Sequence, residues 1–214
     1  MLSLLCAPLA ASLLATGHPQ QGLAVEASAP ATAAPLAVPA AALLKKPELA
    51  LGERRSVVVQ FKDEVLDWNP FLTRFDPGAF RGFDVWGDEQ LLWLQEEYDA
   101  PIARVFALEG SPVDLALDRA KPHDRLELIV VVREFSAGRA WIEVVGARWT
   151  EQQTPEGTVL HAIRALDMIE REGWTIAASE LERALRPDVP AHVREALEEH
   201  LAHCRADIEA READ

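Results

Sequence analysis

The sequence predicts an α+β protein: a small five-stranded β-barrel followed by a C-terminal bundle of three helices. Three observations carry this expectation. Asp124 to Trp149 alternates apolar and polar residues on either side of a Gly-containing turn, which reads as two strands of a hairpin. Shorter alternating runs precede it at Arg54–Phe61, Phe80–Trp86 and Ile102–Leu108. Beyond Thr150 the apolar period changes to that of amphipathic helices.

The 214 residues divide into four parts. Residues 1–24 fit a secretory signal peptide, with an apolar run from Leu2 to Ala15 that is too short to span a bilayer. Small residues at Gly22 and Ala24, or at Ala27 and Ala29, suit cleavage, although no Lys or Arg precedes the apolar run. Residues 25–50 are rich in Ala and Pro and are expected to be a flexible spacer. Residues 51–150 hold the barrel, and residues 151–214 the helices. Export would leave Cys204 as the one cysteine, so the fold must rest on its core.

Within the barrel, Val57, Val59 and Phe61 define one face of the first strand. The stretch from Asp63 to Asp99 is a long insertion punctuated by Pro70 and Pro77. Inside it, Asp88 is expected to cap a short helix with Leu91, Leu94 and Tyr98 on one face. Ser111 followed by Pro112, with Asp114 three residues on, predicts a second short helix start. In the hairpin, Leu126, Leu128, Val130 and Val132 face one way. On the return strand Ile142 and Val144 oppose Trp141, Val145 and Trp149.

This order of elements, with a helix between the third and fourth of five strands, resembles the OB-fold, a small Greek-key barrel. The likeness covers roughly Arg54 to Trp149 and rests on "RVFAL", the helix ending near Ala120, "DRLELIVVVREF" and "AWIEVVGARW". It implies a barrel of a class that binds oligonucleotides, oligosaccharides or proteins, and by itself fixes no function.

In the tail, Thr154 and Pro155 open a helix with a stripe of Val159, Ile163, Leu166 and Ile169, closed by Gly173. A second helix begins at Trp174, and a third is expected to be capped by Asp188. Ala165, Gly173, Trp174, Ala177, Leu181, Ala184 and Pro190 resemble one tetratricopeptide unit. A solitary unit cannot bury its own faces, so the helices are expected to cover the outward row Trp141, Val145 and Trp149.

The net charge of −14 opposes binding to phosphate backbones. Trp68, Trp86 and Trp93 crowd the insertion beside Asn69, Arg74 and Asp84, a composition that suits a sugar- or carboxylate-binding groove. The competing assignment is an ordinary buried aromatic core. The insertion also carries Asp63, Glu64, Asp67, Asp76, Asp88, Glu89, Glu96, Glu97 and Asp99, from which an acid–base pair for hydrolysis could be drawn. His200, His203 and Cys204 lie about one turn apart on the last helix, but His200 and Cys204 fall in its apolar stripe, and no metal site is expected. Phosphate loops, nucleophile elbows, zinc-protease helices and paired CxxC motifs are absent from the sequence, and no cofactor is expected.

The resulting expectation is an exported, non-catalytic protein of the cell envelope, without a transmembrane helix in its mature chain, that binds a protein or a glycan. Three alternatives stand beside it: an adaptor working through the tetratricopeptide-like helices, a hydrolase using the acidic insertion, and single-strand nucleic-acid binding by the barrel. The last would need a basic stripe of Arg54, Arg55, Arg74 and Arg81.

Overall fold

In the computed structural model, residues 34–213 are described. The signal-peptide expectation and the first part of the spacer lie outside them. The strands are β1 (Leu36–Ala37), β2 (Arg54–Val65), β3 (Phe80–Gly87), β4 (Ala103–Leu108), β5 (Arg125–Ser136) and β6 (Arg139–Trp149). The helices are α1 (Ala40–Lys45), α2 (Gln95–Asp99), α3 (Pro112–Leu117), α4 (Glu156–Glu170), α5 (Trp174–Ala184) and α6 (Ala191–Ala213).

Strands β2 to β6 close a barrel in the order β2-β3-β4-β6-β5, with β5 returning to β2. All of these pairings are antiparallel except β4 with β6. One parallel pair, with a helix between the third and fourth barrel strands, is the OB-like arrangement. The barrel closes because β2 is long enough to be shared: Arg54–Gln60 pair with β5 while Val59–Val65 pair with β3.

Alternation fills the interior. Val57, Val59 and Phe61 of β2, Phe83 and Val85 of β3, and Leu126, Leu128, Val130 and Val132 of β5 are all buried in one cluster with Ile142 and Val144. The hairpin turn is tight, because Ala137 and Gly138 both adopt positive φ (51° and 72°). That is the backbone of a two-residue turn whose twist matches its strands. Ser111 caps α3 as expected, its side chain accepting from Asp114 N at 3.1 Å.

The spacer expectation fails from Leu36 onward. β1 pairs in parallel with β2, α1 follows, and a 3₁₀ turn spans Pro47–Ala50. Ala40, Leu43 and Ala50 are buried in the barrel core beside Ile102 and Ala103, where β4 begins. Leu117 of α3 enters the same core from the end where β4 finishes. Each barrel end is therefore closed by a short helix.

The helix expected from Asp88 is confined to Gln95–Asp99. Asp88 is instead engaged by Arg125, which donates from Nε and one terminal nitrogen at 2.5 and 2.8 Å. Gln90 holds the segment together: its Oε1 accepts from Gly87 N at 2.7 Å, and its Nε2 donates to Glu97 O and Ala100 O, each at 3.0 Å. Leu92 and Trp93 enter the helical core with Trp86.

The tail helices pack on that segment, and the outward row of β6 is covered otherwise than expected. Trp141 is buried under the 66–79 loop, while Trp149 is exposed. The buried stripe of α4 is Val159, Ala162 and Ala165, and Ile163 is exposed. The small residues let α5 approach closely, and Ala177, Leu181 and Ala184 lie in the same core. Pro155, rather than Thr154, is the residue flanking α4, and Asp188 accepts from Arg186 Nε at 3.1 Å instead of capping α6.

His123 makes one strained, buried contact between barrel and insertion. Its φ is 76°, its ring stacks on Trp86 at 5.5 Å, and its Nδ1 is buried without a partner. Burial pushes its pKa down, partly opposed by Glu156 and Asp124. A folded pKa below the unfolded value means the unfolded chain binds more protons as the pH falls through the imidazole range. Stability from this group is therefore complete above about pH 6.5 and declines as the pH falls towards the folded pKa. Denaturant midpoints measured between about pH 7.5 and 5 should fall, and His123→Asn, which tolerates positive φ, should flatten that leg. An identical slope in the variant would refute the assignment.

Candidate functional site

Alternation on β3 puts Phe83 and Val85 inside and Gly82, Asp84 and Trp86 outside. The same rule on β4 turns Arg104 and Phe106 outward. Arg104 donates from Nε to Asp84 Oδ1 at 2.8 Å and from a terminal nitrogen to Oδ2 at 3.3 Å, a cross-strand pair at the register Asp84–Arg104.

Above this face lies the 66–79 loop, built by its own side chains. Asn69 Oδ1 accepts from Phe71 N at 3.0 Å, Thr73 Oγ1 from Phe75 N at 3.2 Å, and Asp76 Oδ1 from Gly78 N at 2.8 Å. Trp68 Nε1 donates to Phe75 O at 2.9 Å and closes the loop on itself. Phe75 stacks on Phe106, with centroids 4.5 Å apart and planes at 6°. Trp68 meets Phe106 edge-on at 5.3 Å, and Trp141 lies 5.8 Å from it. Gly82 permits this approach, because a Cβ there would sit 3.2 Å from Trp68 Cζ3.

β4 and β6 pair only at Val105–Ile142 and Phe106–Glu143. Beside this short pairing runs a groove of about 570 Å³. Its walls are the loop at Trp68, Asn69 and Leu72, the strands at Asp84 and Arg104, and the hairpin turn at Phe135 and Arg139. The turn is tied back to the loop: Trp141 Nε1 donates to Ser136 Oγ at 2.9 Å, and that hydroxyl lies 3.5 Å from Leu72 O. The groove is thus formed by the outward face of the second and third barrel strands, the loop joining the first two and the turn joining the last two. OB-folds as a class bind ligands there.

The aromatic residues divide sharply by exposure. Trp68 and Trp141 are 8% and 7% exposed, so their rings build the groove without offering an open face. Phe71 at the loop tip is 95% exposed, Leu72 51% and Phe135 48%. Arg139 is exposed and makes no ion pair with any described residue.

Of the six residues expected to form a binding groove, Trp68, Asn69 and Asp84 line this one. Trp86 and Trp93 do not: both are buried in the helical cluster, and Trp86 Nε1 donates to Tyr98 O at 2.9 Å. The two tryptophans lie on the far side of the insertion because residues 87–100 turn away to meet the helices. Arg74 is exposed on the loop and is not part of the groove wall. Leu72, Arg104, Phe135 and Arg139 were missed, since their approach depends on the β3–β4 and β5–β6 registers.

The insertion's acids are largely occupied in structure. Glu64 accepts from Arg81 at 2.8 Å, and that guanidinium holds the Glu64 carboxyl below its usual range. Glu97 Oε2 accepts from Leu91 N at 2.7 Å. The basic stripe is broken in the same way, with Arg81 also bound to Asp114 at 3.1 Å. On α6, Cys204 is buried in the helical core, where burial raises its thiol pKa. His203 lies outside, edge-on to Trp174 at 5.4 Å. Among the described residues no three His, Cys, Asp or Glu side chains converge on a metal position.

No protein family matches the chain, and no curated protein matches it. A solved structure provisionally described as an aspartyl-tRNA synthetase from Leishmania major Friedlin is similar at 8% identity and a TM-score of 0.36. The match covers 73% of this chain and 32% of that one. Among the described residues no helix is long and apolar enough to cross a membrane.

Proposed function

We propose that this chain is a non-catalytic binding protein that takes an extended segment of a protein partner into the groove between the 66–79 loop and the β5–β6 turn. The observation that carries this reading is the exposure of Leu72 and Phe135 on the two walls of one groove, with the exposed Phe71 ring next to Leu72 at the loop tip. Exposed aromatic anchors beside a cleft are characteristic of protein-binding surfaces. Arg139 lies among them and favours a partner segment that carries an acidic side chain beside its apolar ones. A glycan is the weaker fit, because sugars stack on open indole faces and both groove tryptophans are covered. With the leader read at residues 1–24, the proposal describes an exported protein of the cell envelope.

Selection of a random peptide library on the full chain tests this. The recovered peptides should lose at least about tenfold in affinity for Phe71→Ser/Phe135→Ser, as expected for removing two anchors. The unfolding midpoint should stay unchanged. Equal binding to both proteins would overturn the proposal, as would glycan-array binding that depends on Trp68 and Asp84 without any peptide binding. An adaptor role through the helices is favoured by one observation, the exposure of Leu160 and Ile163 on α4 and Ile176 on α5. Loss of peptide binding in Ile163→Ser/Ile176→Ser, with Phe71→Ser/Phe135→Ser intact, would select that reading.

A further inference from the structure

The β5–β6 hairpin leaves a piece of strand edge without a partner among the described residues. A two-residue turn is closed by a hydrogen-bonded pair, here Ser136–Arg139. Hydrogen-bonded and non-hydrogen-bonded pairs alternate along antiparallel strands. At the next pair, Phe135–Ala140, Ala140 therefore turns its N–H and C=O away from β5. The neighbour on that side is β4, but its register with β6 begins only at Val105–Ile142. No described residue is in register with Ala140 there, and none bonds its main chain from a loop. Just before β4, Ile102 donates to Val85 O at 2.9 Å, so the chain at that point is held to β3.

The candidate groove occupies the space where β4 and β6 part, and Ala103, Arg104, Arg139 and Ala140 all line it. Its apolar lining comes from two sides. Leu44, Ile102 and Ala103 pack against the barrel core, while Trp68, Phe106 and Trp141 belong to the cluster under the 66–79 loop. An open strand edge is a template for another strand, and the side chains of an added strand alternate between its two faces. Here both faces would meet apolar surface.

From this juxtaposition we propose that the partner segment binds by strand addition: its main chain pairs with the free edge of β6 at Ala140, and its side chains enter the two apolar sides of the groove. The inference rests on this groove being the partner site and adds how the partner is held. Arg139, exposed beside the edge, favours an acidic side chain on the added strand. The partner is thus a short extended run of apolar residues with one acid, free of proline where it pairs with β6.

The test uses a peptide selected on the full chain. Replacing one amide N–H at a time by an ester oxygen removes a donor and leaves every side chain in place. One position should lose about fivefold or more in affinity, the value of one hydrogen bond. Its two neighbours, whose N–H groups point the other way, should lose less than about twofold. In the chain itself the Ala140 amide should exchange without protection when free and slow at least about tenfold in the complex. Ala140→Pro, which removes that donor from the edge, should lose the peptide too. If that variant does not fold, the ester scan and the Ala140 amide decide. Tight peptide binding with either a flat ester scan or an unprotected Ala140 amide would overturn strand addition and leave the groove as a side-chain site. Failure to recover any peptide, or a footprint on α4 and α5, would overturn both readings. A chain that dimerises through β6 and releases the peptide as it does so would assign the edge to a second copy and overturn the proposal.

Discussion

Phe106→Ala is expected to destabilise the protein by about 3–5 kcal/mol, the range for truncating a fully buried aromatic residue. Phe106 is fully buried, although it stands on the outward side of its strand. Its ring is the centre on which Phe75 stacks and against which Trp68 and Trp141 lean. Removing it leaves a cavity that these rings can refill only if the loop shifts, because the strand below cannot rise. In a domain of this size the loss corresponds to a fall in Tm of roughly 10 °C. The groove should go with it, since Trp68 and Trp141, two of its lining residues, lean on the same stack. A urea midpoint within about 1 kcal/mol of wild type would show that the loop holds itself without the barrel.

Trp86→Ala should cost a similar amount, about 3–5 kcal/mol, by a different route. Trp86 faces outward from β3, stacks on His123, lies 5.1 Å from Tyr98 and donates to its carbonyl. It also belongs to the cluster that holds Leu92, Trp93 and the three tail helices. Truncation should therefore loosen the helices from the barrel as well as lower overall stability. Hydrogen exchange in α4 and α5 should rise more than exchange in β2 and β5. Uniform acceleration across both would argue that barrel and helices form a single cooperative unit without Trp86 as its link.

These two residues show what the sequence could and could not convey. The alternation of Leu126 to Val132 and of Val57 to Phe61 faces one core, and period-two patterning is legible without knowing any partner strand. The cap at Ser111 and the Gly138 turn are local chemistry, so they too could be read directly. The outward aromatic residues could not. Trp86 and Phe106 stand on the side that alternation assigns to solvent, and only the loop and the insertion above them decide otherwise. The plug formed by Ala40 and Leu43 was hidden by composition, because an Ala- and Pro-rich segment looks the same whether it crosses water or closes a barrel. Local signals favour Asp88 as a cap, but its carboxylate is taken by Arg125, 37 residues away.

The candidate groove was half legible for the same reason. Trp68, Asn69 and Asp84 stood out by type and neighbourhood. Arg104 and Arg139 became neighbours of that site only through strand register, which brings Asp84 opposite Arg104 and Ala140 opposite Phe135. Trp93 was misleading: its chemistry suits a sugar platform, but its place among Leu92, Leu181 and Leu197 is that of a core residue.

The groove between the 66–79 loop and the β5–β6 turn is proposed as the place where this protein meets its partner. The measurement that tests it most directly is a hydrogen-exchange footprint of the full chain, with and without saturating library-selected peptide. Protection is expected to concentrate in residues 69–72, 103–106 and 135–141. Protection confined to α4 and α5, with those three segments unchanged, would contradict it.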